Sequence, residues 1–179
     1  MIDKAFIDSH IDKLTDCVNK ASKEIINVYE GDDFGHIEKS DGSPLTIADK
    51  NANQVILDDL KSISSDISII SEETFENNQL KKLDKTYWLV DPLDGTKEFI
   101  NKTDEFTVNI ALIDNKQAIF GIVAAPVTGK VWYGSVFDKN ITEEGSVDKI
   151  RIVMSKSHKS ENDKAFLEFI DSKNINYEI

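Results

Sequence analysis

Ile7, Ile11, Leu14, Val18, Ala21, Ile25 and Val28 recur at alternating spacings of four and three, one apolar stripe running along about six turns of helix. A helix of that length with a single apolar face has to bury the face on something. The spacing also suits a coiled coil, but the chain holds no second segment of the kind, so the expected partner is a sheet. Gly31 lies just past the stripe, where a left-handed C-terminal cap would sit. Cys17 lies beside the stripe and reads as a small core or boundary residue. His10 and Asp12 fall on the flanking faces and are expected to be solvated.

Residues 31–45 hold Gly31, Gly35, Gly42 and Pro44 among polar neighbours and read as a mobile loop. Thr46-Ile47-Ala48-Asp49 opens a second helix in the manner of a capping box, with Asp where Glu or Gln is usual. Ala48, Ala52, Val55, Ile56, Leu60 and Ile63 give that helix its apolar face. Strands are expected at Ile67–Ser71, Tyr87–Asp91, Phe106–Ile113, Ala118–Ala124 and Val131–Phe137. Asp114-Asn115-Lys116 and Thr128-Gly129-Lys130 make turns of a meander. Phe106, Val108, Ile110 and Leu112 alternate with Thr107, Asn109, Ala111 and Ile113, which places one sheet face on helices and the other against a mixed layer. Ile150–Met154 reads as a further strand, Asn162–Lys173 as a helix, and Asn176-Tyr177-Glu178-Ile179 as the start of another strand. Two helices followed by an antiparallel meander predict an α+β layered domain over residues 1–147, with the beginning of an α/β domain over 148–179.

The chain has 179 residues, a formal net charge of −12 and one cysteine. The acidic balance excludes nucleic-acid polymers as partners, because those demand a basic footprint. Cys17 by itself excludes an internal disulfide and any cysteine-cluster metal site. No apolar run approaches a membrane span, and the acidic N-terminal segment lacks a signal core, so a cytoplasmic location is expected. The sequence carries no signal for an oligomeric state.

Trp88-Leu89-Val90-Asp91-Pro92-Leu93-Asp94-Gly95-Thr96 carries the chemistry. An apolar strand delivers Asp91 and Asp94 into what reads as a Pro-Leu turn, followed at once by Gly95, a hydroxyl and a short helix. Glu72 and Glu73 end the preceding strand in the same way, and Asp49 stands at the start of a helix. Taken singly, each acid suits a turn or a cap. Taken together, they are expected to meet at one edge of one sheet. Two carboxylates about 4 Å apart repel by about 4 kcal/mol at an effective dielectric near 20, so protons or cations must relieve them. An all-oxygen donor set selects Mg²⁺, Mn²⁺ or Ca²⁺ over zinc or iron. An EF-hand is excluded, since Asp91 to Gly95 lacks acids at alternate positions and no twelfth-position Glu follows. Free N–H groups at Gly95 and Thr96 suit phosphate oxygens.

Asp91-Pro92-Leu93-Asp94-Gly95-Thr96, preceded by Ser71-Glu72-Glu73, resembles the signature of the lithium-sensitive inositol monophosphatase superfamily. Lys97-Glu98-Phe99 and the run Phe106 to Ile113 are similar to its 3′(2′),5′-bisphosphate nucleotidase branch, as are Ser43 to Asp49 and Ser155-Lys156-Ser157-His158. The resemblance covers essentially the whole chain. It implies a layered αβαβα sandwich and a Mg²⁺-dependent phosphatase using two or more ions per site, with Mn²⁺ as a substitute and inhibition by lithium. Glu72, Asp91 and the Leu93 carbonyl would hold the first ion, and Asp91 with Asp94 the second. Thr96 and Asp49 would polarise the attacking water, with Glu73 orienting another. Gly95 and Thr96 would grip the transferred phosphate, and Ser155 and His158 would contact the nucleotide. The substrate implied is adenosine 3′,5′-bisphosphate or its sulfated relative, cleaved at the 3′-phosphate. An inositol- or sugar-phosphate phosphatase of the same superfamily is the alternative, and a non-catalytic metal- or nucleotide-binding remnant is another.

The superfamily also has a Trp-Asp motif in a C-terminal domain, whose Asp completes the second metal site. Here Trp88 is followed by Leu and Trp132 by Tyr. The resemblance therefore implies that these residues match roughly the first two thirds of such an enzyme, with the C-terminal α/β domain mostly missing. A chain of this extent is expected to be poorly stable and nearly inactive on its own.

Overall fold

The computed structural model describes residues 2–31, 35, 37–38, 44–75, 84–138, 149–154 and 160–179. These form two compact units, residues 1–139 and 140–179. The boundary expected between 147 and 148 falls among residues outside the described set.

In the first unit, α1 (Lys4–Tyr29) begins where Asp3 accepts from the Phe6 N–H, and it buries Ile7, Leu14, Cys17, Val18, Ala21, Ile25 and Tyr29. Its end corrects the expected left-handed cap. Glu30 stays right-handed and donates to the Ile26 carbonyl, while the Gly31 N–H donates to Val28 at 3.0 Å. That tightened last turn satisfies the carbonyls without a positive φ. His10 is half-buried rather than solvated: its Nδ1 lies 2.7 Å from the Phe6 carbonyl and its ring 4.5 Å from that of Phe6.

The expected loop over 31–45 contains a short pair, β1 (Ile37–Glu38) antiparallel to β2 (Pro44–Leu45); most of the remaining loop lies outside the described residues. Next comes α2 (Ile47–Ile63), which packs against α1. Both helices lie on one face of a five-stranded sheet with the order β3-β4-β5-β6-β7, namely Ser68–Ser71, Thr86–Asp94, Thr107–Asp114, Gln117–Ala125 and Lys130–Ser135. The sheet is mixed rather than a pure antiparallel meander. β3 runs parallel to β4 with Ser71 opposite Val90, and the other pairings are antiparallel. Asn115 and Lys116, both at positive φ, form the two-residue turn from β5 to β6, the geometry that matches strand twist.

The alternation in β5 is observed as far as Leu112: Phe106, Val108, Ile110 and Leu112 are buried, whereas Thr107, Asn109 and Ala111 are half-buried. Ile113, expected with the latter set, is buried too, where the register with β6 shifts. Trp88 joins the helix-facing layer, fully buried, and its Nε1–H donates to the Ser64 hydroxyl at 2.9 Å. This bond ties the end of α2 to β4 and satisfies two buried polar groups.

In the second unit, β8 (Ile150–Arg151) pairs parallel with β9 (Tyr177–Glu178) across α4 (Glu161–Ser172). Ser160 caps α4 by accepting from the Asp163 N–H. Phe166 and Phe169 are exposed on α4. No helix among the described residues is long and apolar enough to cross a membrane.

Trp88→Phe keeps most of the apolar volume but leaves the Ser64 hydroxyl buried without its donor. It should lower unfolding free energy by about 1–3 kcal/mol, read as a lower urea midpoint at constant slope. An unchanged midpoint would show that the Trp88–Ser64 bond carries no stability.

Candidate active site

Parallel register places the site. Because Ser71 faces Val90, the next residues, Glu72 and Asp91, lie side by side, Glu72 leaving the sheet while Asp91 continues β4. Glu72 and Glu73 occupy a single 3-10 turn (Glu72–Thr74) that follows β3 directly. Asp91 to Asp94 do not form the expected turn. They continue β4, and the register shifts between Asp91 opposite Asn109 and Asp94 opposite Thr107. Three steps on β4 thus match two on β5, which is a β-bulge. Residues three apart in a regular strand point to opposite faces. The extra residue cancels that difference and puts Asp91 and Asp94 on the face shared by Asn109 and Thr107. Asn109 Nδ2 donates to Asp94 Oδ2 at 3.2 Å on this face. Pro92, which has no N–H to give, sits inside the bulge, where the ladder is interrupted anyway.

The electrostatics follow from this crowding. Burial, then the neighbouring charges of Glu72 and Asp94, push the Asp91 carboxyl up to about 7. A hydrogen bond between Asp91 and Glu72 adds to the rise, since it needs one proton between two carboxylates. Asp91 Oδ1 is buried with no hydrogen-bond partner, a costly state for a polar atom. Among the described residues no three acid, imidazole or thiol groups close around one point as a ready-made metal cage. The acids are instead close enough to disturb one another and hold one orphaned oxygen. That donor set, all hard oxygen with a surplus of negative charge, fits a divalent cation of the Mg²⁺ or Mn²⁺ type.

Beside the acids lies a hydroxyl–carboxylate pair. Asp49, only 1% exposed, accepts at Oδ2 from the Thr46 N–H at 2.7 Å and the Thr46 hydroxyl at 2.5 Å. Its Oδ1 lies 3.2 Å from Thr96 Oγ1. Thr96 Oγ1 is also 3.1 Å from the Leu93 carbonyl, so one hydroxyl proton faces two acceptors. Burial raises the Asp49 carboxyl above the ordinary range, opposed by its hydrogen bonds to Thr46 and Thr96. Gly95 precedes α3 (Thr96–Ile100) with φ +93°, and a Cβ there would lie 2.8 Å from the Glu105 carbonyl oxygen. Only glycine meets both demands.

Of the residues singled out in the sequence, Asp49, Glu72, Asp91, Leu93, Asp94 and Thr96 are linked by these contacts and charges, with Glu73 and Gly95 adjoining them in the chain. Ser155 and His158 lie outside the described residues. Phe99, part of the branch-like Lys97-Glu98-Phe99, is fully buried with its ring 5.2 Å from Tyr29 and 5.3 Å from Phe106. Asn109, Asn53 and Ser71 were not singled out as functional; Asn53 carried a signal, a polar residue four positions after Asp49 on the apolar face of α2.

A model of the inositol monophosphatase family matches residues 9–174. The 3′(2′),5′-bisphosphate nucleotidase CysQ of Escherichia coli strain K12 is 39% identical over 168 residues, covering 88% of this chain and 68% of that protein. CysQ of Buchnera aphidicola is 40% identical over 171 residues, 89% of this chain and 64% of that one. The crystal structure of CysQ from Bacteroides thetaiotaomicron, described as a bacterial member of the inositol monophosphatase family, superposes with a TM-score of 0.75 at 28% identity. It covers 94% of this chain and 71% of its own. The layered α+β fold is thus that of the inositol monophosphatases.

Asp91 has an ordinary value of 3.8 and a folded-state value of about 7. Between them the folded chain holds a proton that the unfolded chain lacks. The group's contribution to stability is therefore complete below about pH 4 and is lost as pH rises through about 7. Asp91→Asn removes the ionisation. In metal-free buffer its Tm should exceed the parent's clearly at about pH 8 and much less at about pH 4. Parallel Tm–pH curves would contradict the crowding.

Proposed function

Since the chain belongs to the inositol monophosphatase family, we propose that it serves as a Mg²⁺-dependent phosphatase acting on the 3′-phosphate of adenosine 3′,5′-bisphosphate and of 3′-phosphoadenylyl sulfate. The products are AMP or adenylyl sulfate, and phosphate. The observation that supports the chemistry best is the bulged strand end, where Glu72 and Asp94 crowd a half-buried Asp91 with one unpartnered oxygen. The nucleotide substrate is supported by the CysQ relatives at about 40% identity. A net charge of −12 would repel such an anion, and a cation at the acids reverses that locally.

Glu72, Asp91 and the Leu93 carbonyl would hold one ion, and Asp91 with Asp94 a second. When bound, such ions supply Lewis-acid stabilisation of phosphoryl charge and make water more acidic. The remaining work falls to the chain. With the Leu93 carbonyl committed elsewhere, the Thr96 proton goes to Asp49 Oδ1, leaving the Thr96 oxygen free to accept a proton from the attacking water. Burial makes Asp49 more basic than an exposed carboxylate, which suits it to receive that charge through Thr96. The Thr46 N–H and hydroxyl hold its other oxygen still. Glu73 orients a further water. The N–H groups of Gly95 and Thr96 hold phosphate oxygens, with the backbone fixed by the left-handed Gly95. Ser155 and His158 contact the nucleotide in this reading.

Phosphate release should be measured with Mg²⁺ for adenosine 3′,5′-bisphosphate and inositol 1-phosphate side by side. The expected result is slow, chelator-sensitive release that favours the nucleotide, with Thr96→Ala lowering kcat by on the order of 10²-fold or more. Equal or greater release from inositol 1-phosphate overturns the substrate. Absence of release from either overturns the phosphatase. Full turnover by residues 1–179 contradicts the expectation of weak activity.

A further inference from the structure

The buried face of α2 carries its polar residues at its start: Asp49 and Asn53 stand beside Ala48 and Ala52, and Ile56 and Leu60 follow. Asp49 and Asn53 are four residues apart and so lie one above the other on the helix. Each reaches a different arm of the site. Asp49 meets Thr96 beyond β4. Asn53, 7% exposed, accepts at Oδ1 from the hydroxyl of Ser71 at 2.6 Å. Ser71 is completely buried and occupies the cap position of the Glu72–Thr74 turn. A serine there ordinarily turns its oxygen onto the N–H groups of the turn it precedes. This one makes no such cap bond and gives its proton to the helix instead.

We propose that Asn53, acting through Ser71, is a positioning residue that fixes where Glu72 and Glu73 present their carboxylates to a divalent cation. The inference rests on the metal-dependent reading of the site given above. The turn that bears both acids has only three residues, so what holds Ser71, the residue just before it, bears directly on its direction. One restraint is the parallel ladder, which aligns Ser71 with Val90. A further restraint is the side-chain bond to α2, which resists rotation of the chain about the strand axis just before Glu72. A buried hydroxyl–amide pair adds little net stability over an apolar pair of the same shape. What the polar pair adds is direction, in the manner of the groups behind metal ligands whose loss typically weakens metal affinity about 10–100-fold.

Mn²⁺ affinity of the 179-residue protein, measured by titration calorimetry, provides a readout independent of turnover. Asn53→Leu and Ser71→Ala should each weaken binding by about 10-fold or more. The double variant should be no worse than either, because the two side chains act as one link. Ser71→Thr keeps the hydroxyl and should keep the affinity. Ser64→Ala serves as the control. It breaks the buried bond from Trp88 at the C-terminal end of α2, the opposite end of that helix from Asn53, and should lower Tm while leaving Mn²⁺ affinity unchanged. If Asn53→Leu does not fold, Ser71→Ala and Ser71→Thr decide the matter. Parent-like affinity in Ser71→Ala, or equal weakening in Ser64→Ala, overturns the inference and leaves the metal site standing. A parent protein that binds no Mn²⁺ overturns the metal site and the inference with it.

Discussion

Parallel pairing of β3 with β4 is the contact on which the rest of the molecule depends. Antiparallel neighbours would send the two acid-bearing ends to opposite edges of the sheet. With Ser71 aligned on Val90, both ends leave on the same edge, and like charges meet. The bulge between Asp91 and Asp94 then brings a third carboxylate to the same face. Burial first, and then repulsion among them, pushes the Asp91 carboxyl up to about 7, so it binds a proton more readily than an exposed carboxylate. Such an arrangement weakens the fold at neutral pH, and in the proposed function a bound cation would relieve it.

Everything around the acids restrains that crowd. Trp88 anchors β4 to the far end of α2 through Ser64, while Asp49 and Asn53 anchor its near end to Thr96 and Ser71. One helix therefore spans both arms of the site. The aromatic cluster of Tyr29, Phe99 and Phe106 closes over α3 and the segment leading into β5, against whose backbone Gly95 packs too closely for any side chain. Tyr29 also donates its hydroxyl to Asp104 at 2.6 Å. Rigid packing behind the acids is what keeps an unfavourable electrostatic arrangement from relaxing outward.

Much of this was legible in the residues. The 4-3 stripe gave α1 and its buried face, the Thr46–Asp49 pattern gave the start of α2, and alternation gave β5 with its helix-facing side. Asp91, Asp94, Glu72 and Asp49 stood out because acids at element ends imply an ion. The bulge did not stand out, because Pro92 reads as a turn former until the strand around it is known to be interrupted. The direction of β3 was hidden too, since no local pattern distinguishes a parallel from an antiparallel neighbour. Gly31 suggested a left-handed cap that the tightened last turn of α1 makes unnecessary. Asn53 drew no notice among the apolar residues of α2, and its bond to Ser71 is what gives it meaning.

Proton release on Mg²⁺ binding tests the central claim most directly. Calorimetric titrations near pH 6.5 in buffers of differing ionisation enthalpy count the protons expelled. If burial, together with the charges of Glu72 and Asp94, pushes the Asp91 carboxyl up to about 7, Mg²⁺ should expel a substantial fraction of one proton. That release should fade by about pH 9 as the proton leaves unaided. Binding without proton release at pH 6.5, or no binding at either pH, would contradict a carboxylate cluster held together for a cation.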